Sequence, residues 1–492
     1  MTPRNGPPDV VVVGSGPNGL AAATTMARAG LSVDVYETAP DAGGGLRSKA
    51  LFRDDVVHDV CAAVHPMAGA SRFFREFDLP ARGVELLAPE ISYAHPLPTG
   101  RAALAYRSLA ATCAALGADG RRWHALMAPL VTHSRSVVDL LLSEQRRLPR
   151  DPAAPLLLLR RVLAHGTALT APRQFAGEEA AALLTGVAAH VIGPVPTPTS
   201  AAVALLLGHL AHADTGWPVV RGGSARIADA LVADLTAHGG RVFTGQRVTD
   251  IRDVRRARAV LLDVGPKEFL AVAGAVLPPG YRRRLRSFRY GPGAAKVDFL
   301  VSDPVPWTDP AVGRAGTVHL GGARRDVVRS EGLVSRGTSA DRPFVLVVDP
   351  TAADPGRARG GFRPLWAYAH VPNGDPADPV HLVTEQLERY APGFADTVVA
   401  ARGTSAAELE EYNANYVGGD IAGGAMGLRQ ALARPTLRLD PYTTPLRRVY
   451  LCSSSTPPGP GVHGMSGYQA ALSALKREFG IRSAPLLKPR TG

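Results

Sequence analysis

The chain has 492 residues, of which 46% are hydrophobic and 20% are charged, and its formal net charge is +12. This length is too great for one hydrophobic core and predicts roughly two to four domains of a globular protein. No run of five or more like charges occurs, so nucleic acid is not expected as a partner. The positive charge is either scattered over the surface or serves a peripheral contact with a membrane or a carrier protein. The composition leaves the oligomeric state open.

The three cysteines, Cys61, Cys113 and Cys452, lie far apart in the sequence and lack the spacing of metal ligands. They argue against a disulfide framework and a zinc site, and they fit a reducing compartment. The first strand pattern begins by Val10, which leaves no room for a signal peptide. The longest apolar runs are well short of the ~20 residues that a membrane span needs. We therefore expect a cytoplasmic protein and no metal.

The first predicted element is a strand of four valines, Val10 to Val13, whose unbroken apolar character is typical of a parallel sheet. It is followed by Gly14, Gly16 and Gly19 in the pattern G-x-G-x-x-G, and then by an alanine-rich helix. The first glycine permits the tight turn, the second lets the backbone approach a pyrophosphate, and the third packs helix on strand. A second strand ends at Glu37, eighteen residues after Gly19, where a carboxylate binds ribose hydroxyls. The sequence therefore predicts a dinucleotide-binding Rossmann unit.

The next segment, "APDAGGGLRS" at residues 39–48, indicates which dinucleotide is bound. A turn with three glycines and an arginine has no role in a simple nicotinamide dehydrogenase. In FAD proteins such a turn brings the backbone against the ribityl–pyrophosphate part of the cofactor, so Gly44, Gly45 and Arg47 are expected contacts. No second G-x-G-x-x-G occurs, which argues against a separate NAD(P)H domain. FAD is the predicted cofactor.

The middle of the chain predicts a substrate domain. Residues 76–205 alternate apolar helical stretches with proline-rich breaks and are expected to be mostly helical. Near residue 217 the pattern returns to the nucleotide-binding sheet, and residues 242–251 are expected to lie across the cofactor, with Val248 in contact. The predicted fold is α/β, with a Rossmann-type FAD domain and a substrate domain of mixed sheet plus helical insertion. Its predicted parts are the FAD domain at 1–75, 206–275 and 431–492, the helical part of the substrate domain at 76–205, and its sheet part at 276–430.

The end of the chain, "STPPGPGVHGMSGYQAALSAL" at residues 455–475, places a loop of proline and glycine before a helix. The prolines exclude helix from the loop, while the glycines permit positive φ and close backbone approach. Such a loop presents the N–H groups of a helix N-terminus to a small polar or anionic group.

Taken together, the Gly14–Glu37 fingerprint, "GGGLRS" and "YLCSSSTPPGPGVHGMSGYQAA" give the chain a family resemblance. It resembles the phytoene desaturase-like FAD oxidoreductases, and most closely the phytoene dehydrogenase-related branch, relatives of carotenoid desaturases, carotenoid isomerases and amine oxidases. The motifs "HDVCAAVHPM", "YGPGAAKVDF", "LWAYAHVPNGD" and "YNANYVGGDIAGG" extend the similarity nearly from end to end. The chain departs from its relatives at Pro460 and Ser466, where they usually carry Gly and Cys.

The resemblance implies positions for the flavin contacts. The proline-glycine loop would face the pyrimidine ring, with the backbone N–H groups of Gly464 and Met465 directed at its O2 atom. There the helix dipole would stabilise the negative charge that develops when the flavin is reduced. Ser454 and Ser455 stand where relatives contact the ribityl or pyrophosphate group.

Catalytic candidates are few, because hydride transfer to a flavin needs orientation and dry surroundings more than an acid–base pair. His65 follows a segment that relatives place beside the flavin, and His463 lies in the flavin loop. For His463 the alternative is a hydrogen bond that only holds the loop. His58 and Asp59 are interpreted as holding a turn together. Both His65 and His463 are predicted catalytic residues.

Three functions follow. The first is FAD-dependent desaturation, or isomerisation without net oxidation, of an apolar, polyene-like small molecule in bacterial secondary metabolism. The second is a flavin amine oxidase acting on a C–N bond. The third is an FAD-bound interaction protein with little turnover. Tyr416 and His370 are further candidates in the substrate domain, and the apolar helices of residues 120–212 either line a lipophilic tunnel or simply form core.

Overall fold

The computed structural model describes residues 6–143, 153–166 and 175–489 of the chain. The strands within these residues are β1 (Val10–Val13), β2 (Val33–Tyr36), β3 (Ser48–Ala50), β4 (Val57–Asp59), β5 (Leu86–Leu87), β6 (Ile91–Pro96), β7 (Ala102–Tyr106), β8 (Val219–Val220), β9 (Arg241–Phe243), β10 (Ala259–Leu262), β11 (Gly293–Val301), β12 (Thr317–Leu320), β13 (Val345–Val348), β14 (Arg363–Val371), β15 (Val398–Thr404) and β16 (Val449–Leu451). The α-helices are α1 (Pro17–Arg28), α2 (Pro66–Ala70), α3 (Arg72–Phe77), α4 (Leu109–Ala115), α5 (Gly120–Thr132), α6 (Ser134–Leu141), α7 (Ala153–Gly166), α8 (Glu178–Ala188), α9 (Pro198–Leu210), α10 (Ala225–Ala237), α11 (Ile251–Val254), α12 (Pro266–Ala273), α13 (Pro279–Arg286), α14 (Arg324–Val334), α15 (Val380–Glu388), α16 (Phe394–Thr397), α17 (Ala406–Tyr412), α18 (Leu428–Leu432) and α19 (Met465–Glu478).

Five parallel strands form the first sheet, in the order β16-β10-β1-β2-β9. The valines of the central strand β1 are all buried. Val10 and Val12 face a core shared with α1 and α19, whereas Val11 and Val13 face a core shared with α12 and α13. Burial on both faces explains why the strand is an unbroken apolar run. The predicted Rossmann-type sheet is confirmed, and its strands come from three separated parts of the chain.

Seven strands form the second sheet, in the order β15-β11-β14-β13-β12-β6-β7. Its pairs are antiparallel except for β12 and β6, so the predicted mixed sheet is confirmed. Alternate residues of β11 take opposite sides: Val297 and Phe299 enter the core under α15, while Lys296 lines a cavity on the other face. This second face positions the candidate site.

The described part of residues 76–205 is mostly helical, as expected, but it also contains strands β5, β6 and β7, which were not predicted from the sequence. Strands β6 and β7 pair as a hairpin at one edge of the second sheet, with Ala94 opposite Leu104. The alanine-rich β7 resembles a helix in composition, but its side chains alternate with a period of two. Ala103 and Ala105 face the helical core, and Leu104 faces the core of the sheet. Tertiary burial therefore decides the conformation that composition alone mispredicts.

Residues 242–251, which were expected to lie across the cofactor, form a strand only at their start, because β9 ends at Phe243 and α11 begins at Ile251. The irregular backbone between them still brings Val248 to the wall of the cavity. Within the described residues, no helix is both long and apolar enough to cross a membrane. The same residues contain no group of three or more His, Cys, Asp or Glu arranged to hold a metal ion.

Candidate active site

A cavity of about 840 Å³ lies between the carboxyl edge of the first sheet and one face of the second. One arm is walled by the predicted nucleotide-binding residues, and we call it the cofactor arm. The other arm, which we call the substrate arm, is walled by the second sheet, by α9 and by the end of α6. Residues that line the cofactor arm include Gly14, Gly16, Glu37, Gly44, Gly45, Arg47, Val248 and Ser454.

The glycines of the cofactor arm sit where side chains would not fit. Gly14 has a φ of +94°, which favours glycine. A Cβ at Gly16 would lie 2.7 Å from Asp263 Oδ2, and one at Gly44 would lie 2.9 Å from Gly16 Cα. Gly19 is not among the described residues that line the cavity, and a Cβ there would lie 2.2 Å from Gly14 O, so it serves helix packing as expected.

Glu37 is held in place at the end of β2 by four donors. Its Oε2 accepts hydrogen bonds from Ser15 N at 2.9 Å and Ser15 Oγ at 2.6 Å. Its Oε1 accepts one from Ala39 N at 2.9 Å and lies 3.3 Å from Arg47 Nη2. The two backbone donors fix the orientation of the carboxylate. The two side-chain donors are groups that a ribose hydroxyl can displace.

Arg47 links this carboxylate to the substrate domain. Its Nε donates to Asp41 O at 2.8 Å, and its Nη1 donates to Tyr412 Oη at 3.3 Å. The side chain is buried, and Tyr412 also lines the cavity. The predicted cofactor contact therefore also joins the two domains.

Asp263 is a site residue that sequence reasoning missed. It follows β10 directly, lines the cavity, and accepts a hydrogen bond through Oδ2 from Gly19 N at 2.9 Å. Burial raises its pKa to about 7, against the effect of the Gly19 hydrogen bond, and the charge of Glu37 raises it further. The sequence could have indicated Asp263 through its position directly after a predicted buried strand, because the carboxyl ends of parallel strands form the ligand-binding edge of the sheet.

The proline-glycine loop reaches the cavity earlier along the chain than expected. Its wall residues are Pro458, Pro460, Gly461 and Val462. Gly464, Met465 and Ser455 are not among the described residues that line the cavity.

Two of the predicted loop contacts have other partners. Ser455 Oγ donates to Gly423 O at 2.7 Å. The N–H of Met465 donates to His463 Nδ1 at 3.0 Å, so it is not free for flavin O2 in this arrangement.

The two predicted catalytic histidines are fully buried and bonded to protein. His463 Nδ1 accepts from Met465, so Nε2 carries the hydrogen and donates to Gly459 O at 3.1 Å. His65 Nε2 lies 2.8 Å from Ser224 Oγ, and its backbone N–H donates to Pro218 O. Neither ring is among the described residues that line the cavity. Their catalytic role stays a prediction, and the contacts favour a positioning role.

Lys296 is the second site residue that sequence reasoning missed. It is buried on β11, lines the cavity, and is paired with Asp298, two residues further along the same face. Burial raises the pKa of Asp298, and the charge of Lys296 opposes that shift. His58 Nδ1 lies 3.8 Å from Asp298 Oδ1, and burial lowers the pKa of His58 to about 4. The signal was a lysine and an aspartate two residues apart in the otherwise apolar strand "GAAKVDFLV".

Tyr416 joins Lys296 to the cofactor arm. A Cβ at Gly45 would lie 2.7 Å from Tyr416 Oη and 3.8 Å from Cys61 Cβ. Burial raises the pKa of Cys61 to about 11, and the charge of Lys296 acts in the opposite direction. Tyr416, Cys61 and Lys296 therefore meet where the cofactor arm opens into the substrate arm.

Asp59 and His370, which were also singled out in the sequence, contact other buried side chains of the protein. Asp59 binds Arg357 at 3.1 Å and Ser48 Oγ at 2.7 Å, which confirms its role in holding the turn. His370 Nδ1 lies 2.7 Å from Glu331 Oε1, and both side chains are fully buried.

Known proteins share the nucleotide-binding part of this chain. Residues 12–77 match the model of the NAD(P)-binding Rossmann-like domain. The chain is 25% identical to pyridine nucleotide-disulfide oxidoreductase domain-containing protein 2 of Rattus norvegicus, over 94% of this chain and 92% of that protein.

Solved structures share the fold. An oxidoreductase from Methanosarcina mazei has a TM-score of 0.58 at 16% identity, covering 95% of this chain and all of that one. A putrescine oxidase variant has a TM-score of 0.59 at 18% identity, covering 96% and 99%. The chain thus has the fold of the FAD-dependent amine oxidase-like oxidoreductases. Its Rossmann domain, with the glycine cradle and the Glu37 carboxylate at the cavity wall, fits FAD.

Proposed function

We propose that the chain is an FAD-dependent oxidoreductase that desaturates, or isomerises without net oxidation, a carbon–carbon bond of an apolar, polyene-like substrate. The observation that carries this proposal is one continuous cavity with a glycine-walled cofactor arm and a mainly apolar substrate arm. Bound FAD would supply hydride chemistry. Met67, Leu206, Leu207, Leu346 and Val348 wall the substrate arm and favour a lipophilic occupant that excludes water.

The chain's own residues would bind and orient both molecules. Gly14, Gly16 and Gly44 would admit the pyrophosphate, and Glu37 would bind the ribose. Lys296 lines the cavity and forms an ion pair with Asp298. A cation at that point would stabilise negative charge that develops nearby during reduction of the cofactor.

Oxidation of an amine is the second candidate. Trp366 and Tyr368 place aromatic rings on the cavity wall beside Lys296, whose Nζ lies 5.8 Å from the centre of the Trp366 ring. Rings of this kind favour an amine substrate. One of the solved structures with this fold is a putrescine oxidase. The mainly apolar wall of the substrate arm favours the first candidate.

Anaerobic reduction of the bound flavin separates these functions. We expect the visible flavin band of the FAD-loaded protein to bleach with a partly saturated C₄₀ polyene, and not with putrescine, cyclohexylamine or NADPH. Bleaching by the amines alone would establish C–N oxidation, and bleaching by NADPH would contradict the single dinucleotide site. If only protein prereduced with dithionite converts the polyene, without net oxidation, the enzyme is an isomerase.

A protein that binds FAD and responds to no donor would support the interaction-protein alternative. Reoxidation of the reduced flavin by oxygen or a soluble quinone, with no reoxidation by NADP⁺, is expected for the first candidate. The Gly16→Val variant is the control, because it should hold no FAD and show no bleaching.

A further inference from the structure

The wall of the substrate arm has two polar ends separated by apolar and aromatic side chains. One end is Lys296, next to Tyr416 and the cofactor arm. The other end is His190, which follows α8, lines the cavity, and packs edge-on against Trp217 at 5.4 Å. Of these two ends, only Lys296 has a role in the proposed reaction.

The strand register gives the separation across the sheet between Lys296 and His319, the residue that contacts His190. Lys296 on β11 is opposite Tyr368 on β14, and Tyr368 is opposite Leu346 on β13. Leu346 is in turn opposite His319 on β12. Neighbouring strands are about 4.8 Å apart, so His319 lies about 14 Å from Lys296 across the sheet.

His190 and His319 form a buried pair at the far end. Their Nε2 atoms are 2.9 Å apart, so one ring donates to the other. His319 is fully buried, and its Nδ1 has no hydrogen-bond partner among the described residues. Leaving a lone pair unpaired costs less than leaving an N–H unpaired, so His319 Nε2 carries the hydrogen and donates to His190. His190 then carries its hydrogen on Nδ1.

The pair is neutral at physiological pH. Burial lowers the pKa of His190 to about 3 and that of His319 well below its ordinary value, and neighbouring histidines lower both further. A neutral ring does not provide the charge that would compensate for burying a carboxylate. Another polar group on this part of the wall, Thr317 Oγ1 on the same strand as His319, is buried without a partner among the described residues. This region of the wall is therefore equipped for neutral hydrogen bonding.

We propose that His190, backed by His319, binds a neutral oxygen of the substrate, a hydroxyl or carbonyl group, at the end of the substrate arm remote from the cofactor. The inference rests on the proposed function and narrows its substrate class. The substrate is an apolar molecule with an oxygen function at the end remote from the bond that reacts. A pure hydrocarbon would leave the His190 donor without a partner, at a cost that the oxygenated molecule avoids.

Three probes of similar shape test the proposal: biphenyl, 4-hydroxybiphenyl and biphenyl-4-carboxylate. Their dissociation constants are measured on the FAD-loaded protein by calorimetry and by perturbation of the flavin spectrum. Wild-type protein should bind 4-hydroxybiphenyl about 5- to 10-fold more tightly than biphenyl, the value of one neutral hydrogen bond. Biphenyl-4-carboxylate should gain no affinity from the neutral pair, so its dissociation constant should be the same in wild-type protein and in His190→Phe.

Variants of His190 test whether the His190–His319 pair causes the tighter binding of 4-hydroxybiphenyl. His190→Phe keeps the ring packed on Trp217 and should bind both neutral probes equally, whereas His190→Gln restores an N–H donor and should recover part of the preference. Thr199→Val is the matched control, because Thr199 is a polar wall residue on α9 whose hydroxyl donates to Met426 O. It should keep the wild-type preference.

Several results would overturn the inference: no binding of any probe, no preference in wild-type protein, a preference that survives in His190→Phe, or binding of the carboxylate that weakens in His190→Phe. The FAD content of each variant is measured first by visible absorption. Absence of FAD from wild-type protein would refute the proposed function, which is distinguishable from a failure of oxygen recognition in loaded protein.

Discussion

At the scale of single residues, Glu37 shows how a sequence prediction gains a mechanism from its contacts. Its carboxylate is oriented by the N–H groups of Ser15 and Ala39 before any ligand arrives. We expect Glu37→Ala to weaken FAD binding by roughly 1.5–3 kcal/mol, because charged hydrogen bonds to the ribose are lost. Fluorescence titration of FAD-free protein measures the effect. Glu85→Ala removes another arginine-paired glutamate, remote from the cavity, and should leave the dissociation constant unchanged.

Asp263 predicts a pH dependence of stability. Its pKa rises from the ordinary 3.8 to about 7 in the folded protein, chiefly through burial, so folding takes up a proton between these values. The stability that this group contributes is complete below about pH 4 and is lost as the pH rises through 7. The total change is roughly 3–5 kcal/mol.

Urea unfolding of FAD-free protein at pH 5 and pH 8 measures this effect. Wild-type protein should lose more stability than Asp263→Asn over that interval, because asparagine does not ionise. Asp250→Asn should match wild type, since the pKa of Asp250, lowered chiefly by its hydrogen bond to Arg252, is about 2. Equal pH profiles for wild type and Asp263→Asn would show that Asp263 is ionised throughout.

The residues that were predicted and those that were missed differ in a physical way. Gly14, Gly16 and Glu37 were recognisable because their spacing along the chain is fixed by one strand, one turn and one helix. Lys296 and His190 acquire their roles from neighbours distant in sequence, such as Cys61 for Lys296 and His319 for His190, which no local spacing encodes. A lysine and an aspartate two residues apart in an otherwise apolar strand were the available signal for the first, and the sequence carries none for the second.

At the scale of elements, the proline-glycine loop before α19 is held by His463, which spans Gly459 and Met465. We expect His463→Ala to leave FAD bound, to lower the free energy of unfolding by about 1–3 kcal/mol, and to slow turnover, because two backbone groups lose their partner. Burial lowers the pKa of His463 to about 4, so its effect should be constant from pH 6 to pH 9. Thermal unfolding and steady-state kinetics across that range provide the measurement.

A loss of activity in His463→Ala that followed a titration near pH 7 would contradict this positioning role and favour proton transfer. His65→Ala is the parallel variant. Its ring bonds Ser224, which also donates to Ala62 O on the loop that lines the cavity. It should likewise slow turnover with FAD retained.

The elements themselves were predicted best where both faces of a strand are buried. Strand β1 was expected from its apolar run, and the structure has it at Val10–Val13. The β6–β7 hairpin was missed because alanine fits helix and strand alike, and its pairing with β12 at Val318 is decided by contacts distant in sequence. The secondary-structure propensity of a segment is a weak guide when the segment could pair at a sheet edge or extend a neighbouring helical region.

At the scale of the whole molecule, the cavity exists because the chain crosses between its two sheets several times. The cofactor arm takes residues from all three separated parts of the first sheet, and the second sheet supplies the far wall. The sequence predicted that the chain divides into an FAD domain in three parts and a substrate domain. The cavity between the two sheets depends on how the sheets are placed relative to each other. The distance from Lys296 to His190 is therefore a property of the fold and is absent from any single motif.

The net charge and an exposed apolar patch lead to a prediction about membranes. Leu428, Leu432, Leu437 and Leu439 are exposed, the last two by 71% and 97%, and α18 also carries the cavity-wall residue Ala431. We propose that this patch docks on an anionic lipid surface, which the charge of +12 attracts and from which an apolar substrate enters the cavity.

Vesicle co-sedimentation tests this docking. Phosphatidylcholine vesicles containing phosphatidylglycerol should retain the protein, with less binding at high salt and little binding to phosphatidylcholine alone. The double variant Leu437→Ser and Leu439→Ser should weaken binding by at least about tenfold, because the two changes remove six side-chain carbons and each buried CH₂ contributes about 0.8 kcal/mol. Leu486→Ser is the matched control, since Leu486 is also 71% exposed but lies beside Arg28 on the nucleotide-binding domain. Equal losses in the double variant and in Leu486→Ser would contradict docking through these leucines, and no retention by anionic vesicles would contradict docking on a membrane.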